Sequence, residues 1–95
     1  MSAYIIFRQN EVTDPVEFKH YTDNVAQTLQ GTSAKVLSLY GKHENLEGKE
    51  TEGVVVLEFP TMDDARAWYH GSAYQNVVKH RWKAASFDVV LVEGV

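Results

Sequence analysis

The amino-acid sequence predicts an α+β domain in which two helical segments interrupt four strands in the order βαββαβ. Three observations carry that expectation. Apolar residues alternate with a period of two in four short segments, and they recur at spacings of three and four in two others. The junctions between segments carry Thr-Asp-Pro, Gly and Pro-Thr signals of the kind that start and stop helices.

From Ala3 to Val12, the residues Ala3, Ile5 and Phe7 fall on one side of a strand and Tyr4, Ile6, Arg8 and Asn10 on the other. Thr13 or Asp14 then caps a helix, with Pro15 presetting φ in its first turn. Phe18, Tyr21, Val25 and Leu29 form that helix's apolar stripe, and Gly31 is its expected left-handed terminator. Lys35 to Tyr40 is a second strand, with Leu37 and Leu39 on one side and Val36, Ser38 and Tyr40 on the other. The polar stretch Gly41 to Gly53 reads as a hairpin loop leading into a third strand, Val54 to Phe59. Thr61, followed three residues later by Asp64, starts the second helix in the manner of a capping box. Its stripe of Ala65, Trp68 and Tyr69 is interrupted at Gly71 and Ser72 and resumes with Tyr74, Val78 and Trp82, so a bent or broken helix is expected. Ser86 to Glu93 is the fourth strand, setting Phe87, Val89 and Leu91 against Asp88, Val90 and Val92.

Right-handed crossovers with both helices on one side leave few arrangements of these elements. The outcome is a ferredoxin-like sandwich over residues 1–95, one domain, with an antiparallel sheet in the order 4-1-3-2. The odd-numbered strand positions carry the cleaner apolar set and should meet the helices. The even-numbered face mixes Ile6, Val54, Val56 and Val90 with Tyr4, Arg8 and Glu58 and has no helix to cover it. An apolar face of that extent calls for a second copy, so a homodimer packed sheet to sheet, a dimeric α/β barrel, is expected.

Composition narrows the function further. The chain has 95 residues, 44% hydrophobic and 23% charged, the balance of an ordinary packed domain. It has no cysteine, which excludes a disulfide framework, a thiolate metal site and a cysteine nucleophile. A net charge of −4 argues against nucleic-acid binding, which needs a basic surface. The basic cluster of Lys79, His80, Arg81 and Lys83 falls at a helix C-terminus, where the macrodipole accounts for it. Met1 to Asn10 reaches Arg8 too soon for a signal core or a membrane span, so a cytoplasmic protein with no membrane partner is expected. His20, His43, His70 and His80 stand at no metal-ligand spacing, and no phosphate loop or dinucleotide fingerprint occurs, so no metal and no tightly bound cofactor are expected.

The remaining candidates cluster around the helix break. Trp68 and Tyr74 flank it, Arg81 follows on the same stripe, and Tyr21 faces them from the first helix. Aromatic rings with polar handles suit a small-molecule pocket, and core packing is the competing account. Gly71 and Ser72 free backbone N–H groups beside a guanidinium, a seat for a small anion. Glu58 lies inside the most apolar strand, where a carboxylate gains a raised pKa as a general base, pairs with Arg8 or Arg81, or is exposed at the strand end. Glu58 and Tyr74 are thus the catalytic candidates, and Tyr21, Trp68, Ser72 and Arg81 the substrate-binding ones.

Several segments, in order and with consistent gaps, resemble a known family. They are Ala3 to Ile6, Val12-Thr13-Asp14-Pro15 with Phe18 and Tyr21, Leu46-Glu47-Gly48, Val55 to Pro60, Ala65-Arg66-Ala67-Trp68-Tyr69, Tyr74-Gln75, Arg81 and Val90 to Gly94. Together they are similar to the domain of unknown function 1330 proteins of the dimeric α/β-barrel superfamily. The resemblance implies the fold and the dimer but no single activity, because superfamily relatives range from cofactor-free monooxygenases and isomerases to haem enzymes and ligand binders. The chain departs from the family pattern at Gly71-Ser72-Ala73, where relatives usually have Ser-Pro-Glu, and at Gly31-Thr32-Ser33 and Leu39-Tyr40-Gly41, where a glycine pair and an arginine are usual. The expected function is binding or transforming a small aromatic or carboxylate-bearing metabolite without a tightly bound cofactor. The alternative is a non-catalytic dimer that senses a ligand or engages a protein.

Overall fold

Strand β1 (Ala3–Val12) runs between two antiparallel neighbours, β3 (Gly53–Phe59) and β4 (Ala85–Glu93), in a computed structural model that describes residues 1–95. Strand β2 (Lys35–Leu39) adds to the outer side of β3, giving the sheet order β2-β3-β1-β4. This is the expected order 4-1-3-2 counted from the other edge, and the ferredoxin-like plan stands. Three helices lie on one side: α1 (Pro15–Asn24), α2 (Met62–His70) and α3 (Ser72–Ala84).

Local chemistry sets the helix ends. The Asp14 side chain accepts the Glu17 N–H at 3.1 Å, with Pro15 in the first turn, and Thr61 accepts the Asp64 N–H at 3.1 Å to start α2. The Ala84 carbonyl accepts from the Thr13 and Asp14 backbone N–H groups and from the Thr13 hydroxyl, which ties the end of α3 to the start of α1. Helix α1 stops earlier than its apolar stripe implies. After Asn24 the chain tightens into a 3-10 turn, Ala26–Leu29, in which both the amide and the hydroxyl of Thr28 donate to the Val25 carbonyl. Gly31 then takes the left-handed conformation at φ 79°.

The odd-numbered positions of β1 and β3 make the core as expected. Ala3, Ile5, Phe7, Leu57 and Phe59 are buried against Ala65, Trp68, Tyr74 and Val78 of α2 and α3. Strand β2 departs from its expected alternation. Val36 pairs with Leu57 and Ser38 with Val56, so Leu37 is an extra residue and the frame shifts by one. Val36 and Leu39 therefore share the helix side, which a strict period of two would not allow.

The even-numbered face of the sheet is uncovered within the chain. Ile6, Val54 and Val56 are half-buried, while Val90 and Val92 remain 55% and 45% exposed. On this face Arg8 donates to Asp88, with Asn10 also donating to the same carboxylate at 3.1 Å. Those two hydrogen bonds, Arg8's first, hold the Asp88 carboxyl below its usual range.

Phe59 is 1% exposed and wedged against Trp68. Phe59→Ala should therefore cost about 3–5 kcal/mol, whereas Val16→Ala at a 77% exposed site should stay within about 0.5 kcal/mol. Urea denaturation midpoints measure both, and equal losses would contradict this placement of the core.

Candidate functional site

Gly71 sets the geometry of the site. Its φ and ψ of −69° and 157° are extended, and a Cβ there would stand 2.7 Å from the Ala67 carbonyl oxygen, so only glycine lets α3 start this close to α2. The break turns Trp68, from the end of α2, onto Tyr74, from the start of α3, with ring centroids 4.1 Å apart. The Trp68 indole N–H donates to the Thr28 hydroxyl at 3.1 Å and so ties α2 to the 3-10 turn.

Tyr21 reaches in from α1. Its hydroxyl lies 2.9 Å from that of Tyr74 in a hydrogen bond either can donate, and the two rings meet edge to face. Burial is the main reason both phenols are pushed above the usual tyrosine range; the Tyr74 partner raises Tyr21 further, while Arg81 opposes the shift in both. Both stay protonated at any physiological pH. One hydrogen of the pair is used between them, which leaves the other free to donate.

Arg81 completes the group from the C-terminal half of α3. It is 3% exposed, its guanidinium lies 4.8 Å from the Phe87 ring centroid and 5.6 Å from that of Tyr21, and no carboxylate pairs with it. Its Nε is buried without a hydrogen-bond partner. Removing a cation from water costs several kcal/mol; the two cation–π contacts, each worth about 2 kcal/mol, and the Tyr74 hydroxyl offset part of that cost and supply no counter-charge.

Beside this cluster, α1 and the 3-10 turn stand away from β2 and β3 and leave a hollow of about 270 Å³. Tyr21, Val25 and Leu29 form one wall, Val36, Leu39 and Val55 another, and Phe7, Trp68 and Phe87 close the inner end. No Asp, Glu, His, Lys or Arg is among its lining side chains. Tyr40 stands at the mouth with φ 53°, a left-handed conformation that costs a non-glycine residue on the order of 1–3 kcal/mol. Its ring lies over Gly53, where any Cβ would collide with it. Burial raises the Tyr40 phenol as well.

The structure thus gathers Tyr21, Trp68, Tyr74 and Arg81, while two other expected site residues lie apart. Glu58 projects from the even-numbered face, across the sheet from the hollow, in register with Tyr4 and Lys35. It forms no ion pair, and the cations expected to meet it are engaged elsewhere: Arg8 with Asp88, Arg81 beneath the helices. Ser72 is exposed at the start of α3, beside a polar cleft bordered by Gly31, Thr32 and Asp64. The apolar wall from β2 and the Tyr40 mouth were absent from the sequence expectation. The positive φ of Tyr40 has no sequence signature, and the β2 wall depends on the extra residue at Leu37. No group of three or more His, Cys, Asp or Glu side chains is placed to hold a metal ion, and no helix is long and apolar enough to cross a membrane.

A family model described as a domain of unknown function, DUF1330, matches residues 2–95. No curated protein matches the chain. Among solved structures it is similar to a protein of unknown function from Rhodopseudomonas palustris, at 14% identity and a TM-score of 0.75 over 99% of this chain and 82% of that one. It is also similar to a cofactor-independent oxygenase from Streptomyces nogalater, at 10% identity and a TM-score of 0.67 over 99% and 93%. A third is a dimeric ferredoxin-like protein of unknown function from Thermobifida fusca, at 13% identity and a TM-score of 0.64 over 99% and 92%. At these identities the likeness is one of fold.

The buried phenols give the protein an alkaline limit. A pKa raised in the folded state means that stability is in place below the unfolded tyrosine value of about 10 and is lost as pH climbs through the folded values. The double variant Tyr21→Phe, Tyr74→Phe has neither group to ionise, so between about pH 7 and about pH 11 it should lose less of its stability than the parent. Urea midpoints at the two pH values measure this, and losses of equal size would contradict it.

Proposed function

The chain belongs to the domain of unknown function 1330 family, and on that footing we propose that it is a homodimeric binding protein that takes a small aromatic or carboxylate-bearing metabolite into the hollow between α1 and β2–β3. One observation carries the reading: a hollow of about 270 Å³ with an apolar lining lies beside the core. Protein interiors rarely leave that much apolar space vacant, and concave apolar sites with a few polar groups at one end are the usual form of a ligand site. Tyr21 and Trp68 hold the body of the ligand, Tyr74 fixes the Tyr21 hydroxyl, and Arg81 supplies positive charge behind them. No tightly bound cofactor is part of this reading.

Catalysis is the narrower version. A similar fold serves a protein described as a cofactor-independent oxygenase and another described as a putative antibiotic biosynthesis monooxygenase from Nitrosomonas europaea. The lining offers no carboxylate, imidazole or amine to move a proton, and Glu58 is on the far side of the sheet. That composition favours the second reading, a dimer that binds a ligand without transforming it.

The dimer is proposed on the even-numbered face. Ile6, Val54, Val56, Val90 and Val92 would otherwise stand against water, and a two-fold contact buries one self-complementary surface on both copies. Two of the similar structures are described as dimeric.

Titration with the fluorescent neutral probe N-phenyl-1-naphthylamine tests the hollow. Binding should be saturable, and Ala26→Trp, which builds a ring into the mouth from an exposed position, should weaken it at least about tenfold while leaving the melting temperature within a few degrees. Unsaturable fluorescence, or unchanged affinity in the variant, would remove the hollow as the site. Light scattering should return twice the 10.8 kDa chain mass, and Val56→Glu should give the monomer mass or unfold the protein. A monomeric parent would end the dimer proposal.

A further inference from the structure

We infer that Arg81 and the Tyr21–Tyr74 hydroxyl pair form the seat for a single carboxylate, so that the ligand of the hollow is an apolar or aromatic monocarboxylate whose ring lies in the hollow and whose head meets the guanidinium past Phe87. The inference rests on the hollow being a binding site and adds the chemical class of what it binds. Its basis is a mismatch between donors and acceptors. The guanidinium carries five N–H donors in a fork that fits a carboxylate with two parallel bonds, and no carboxylate in the chain pairs with it. Around it stand Tyr21, Tyr74 and Tyr40, each held neutral by burial. The group is therefore rich in donors, positively charged, and without a counter-ion.

The position of Phe87 links seat and hollow. Its ring lines the hollow on one side and a shallow groove on the other, and that groove is bordered by Arg81, Trp82 and Ser86. The guanidinium lies over this shared wall, 4.8 Å from the ring centroid. Arg81 stands behind the Tyr21 and Phe87 rings and not in the lining of the hollow, so a ligand lying along the hollow with its charged end toward Phe87 meets the guanidinium and the free phenolic hydrogen once that half-buried ring turns aside. A second charge on the ligand would meet only the apolar lining, so one charge is selected. Lysine could not substitute fully, because an ammonium lacks the planar fork.

The test compares 2-naphthoate with its neutral methyl ester by calorimetry, on the parent protein, Arg81→Met and Arg81→Lys. The methionine keeps the stem's packing and removes the charge. Arg81→Met should weaken naphthoate roughly tenfold or more, the size of one lost charge-assisted hydrogen bond, and leave the ester within about twofold. Arg81→Lys should fall between, and it carries the comparison if the methionine variant does not fold. Naphthoate affinity unchanged in both variants, with the ester still bound, would overturn the seat and leave the hollow standing. Should the parent bind neither probe, the hollow itself fails, and thermal melting in benzoate against chloride at equal ionic strength then decides the seat. A rise in the parent that is absent in Arg81→Met supports it, and equal melting shifts overturn it.

Discussion

A chain of this length supplies helices for one face of a four-stranded sheet and no more, and most features of the molecule follow from that shortage. Helices α2 and α3 cover β1 and β3 closely, and their side of the sheet is the core. Helix α1 is ten residues long and gives way to a 3-10 turn, so its cover of β2 is incomplete. The gap it leaves is the hollow. The other face has no cover within the chain, and its valines and isoleucine form the proposed contact between copies. The hollow and the uncovered sheet face are two outcomes of the same deficit, one on each side of the sheet.

Much of this was legible in the residues. Strand β3, β1 as far as Gln9 and β4 from Phe87 onward keep their alternation because each packs one face on the helices, and periodicity reports that directly. The caps at Asp14 and Thr61 and the break at Gly71 were legible because each is a local backbone event with its own side-chain signature. Strand β2 was not. A single extra residue at Leu37 moves Val36 to the helix side, and nothing in Lys35 to Tyr40 marks which residue will be extra. The joint of Tyr21, Trp68, Tyr74 and Arg81 could be read from helical spacing, and strand alternation already set Glu58 on the uncovered face, apart from them; Ser72 could not be placed either way, because its position depends on where a helix begins. A hollow is still harder to foresee, since it depends on what fails to fill a space.

Arg81 shows how a buried charge can look like an ordinary helix terminus in sequence. With Lys79, His80 and Lys83 it belongs to a basic run that the α3 macrodipole would favour, and Lys79 and Lys83 face outward. His80 contacts Glu17 at 2.8 Å and helps join α3 to α1. Position 81 alone turns under the helix, onto Phe87 and Tyr21. One step of about 100° around a helix separates a solvated charge from a buried one, so the composition of the run says nothing about the role of its members.

The extra residue in β2 bears on how copies of the chain can meet. Strand β2 is an edge of the sheet, and a regular edge offers its unpaired N–H and C=O groups to any extended segment that approaches. The irregularity at Leu37 breaks that ladder after two residues, and Tyr40, in a left-handed conformation, turns the chain away immediately after the strand. A neighbour would find no continuous run of partners there, which discourages edge-to-edge growth through β2 and leaves β4 as the regular edge of the sheet.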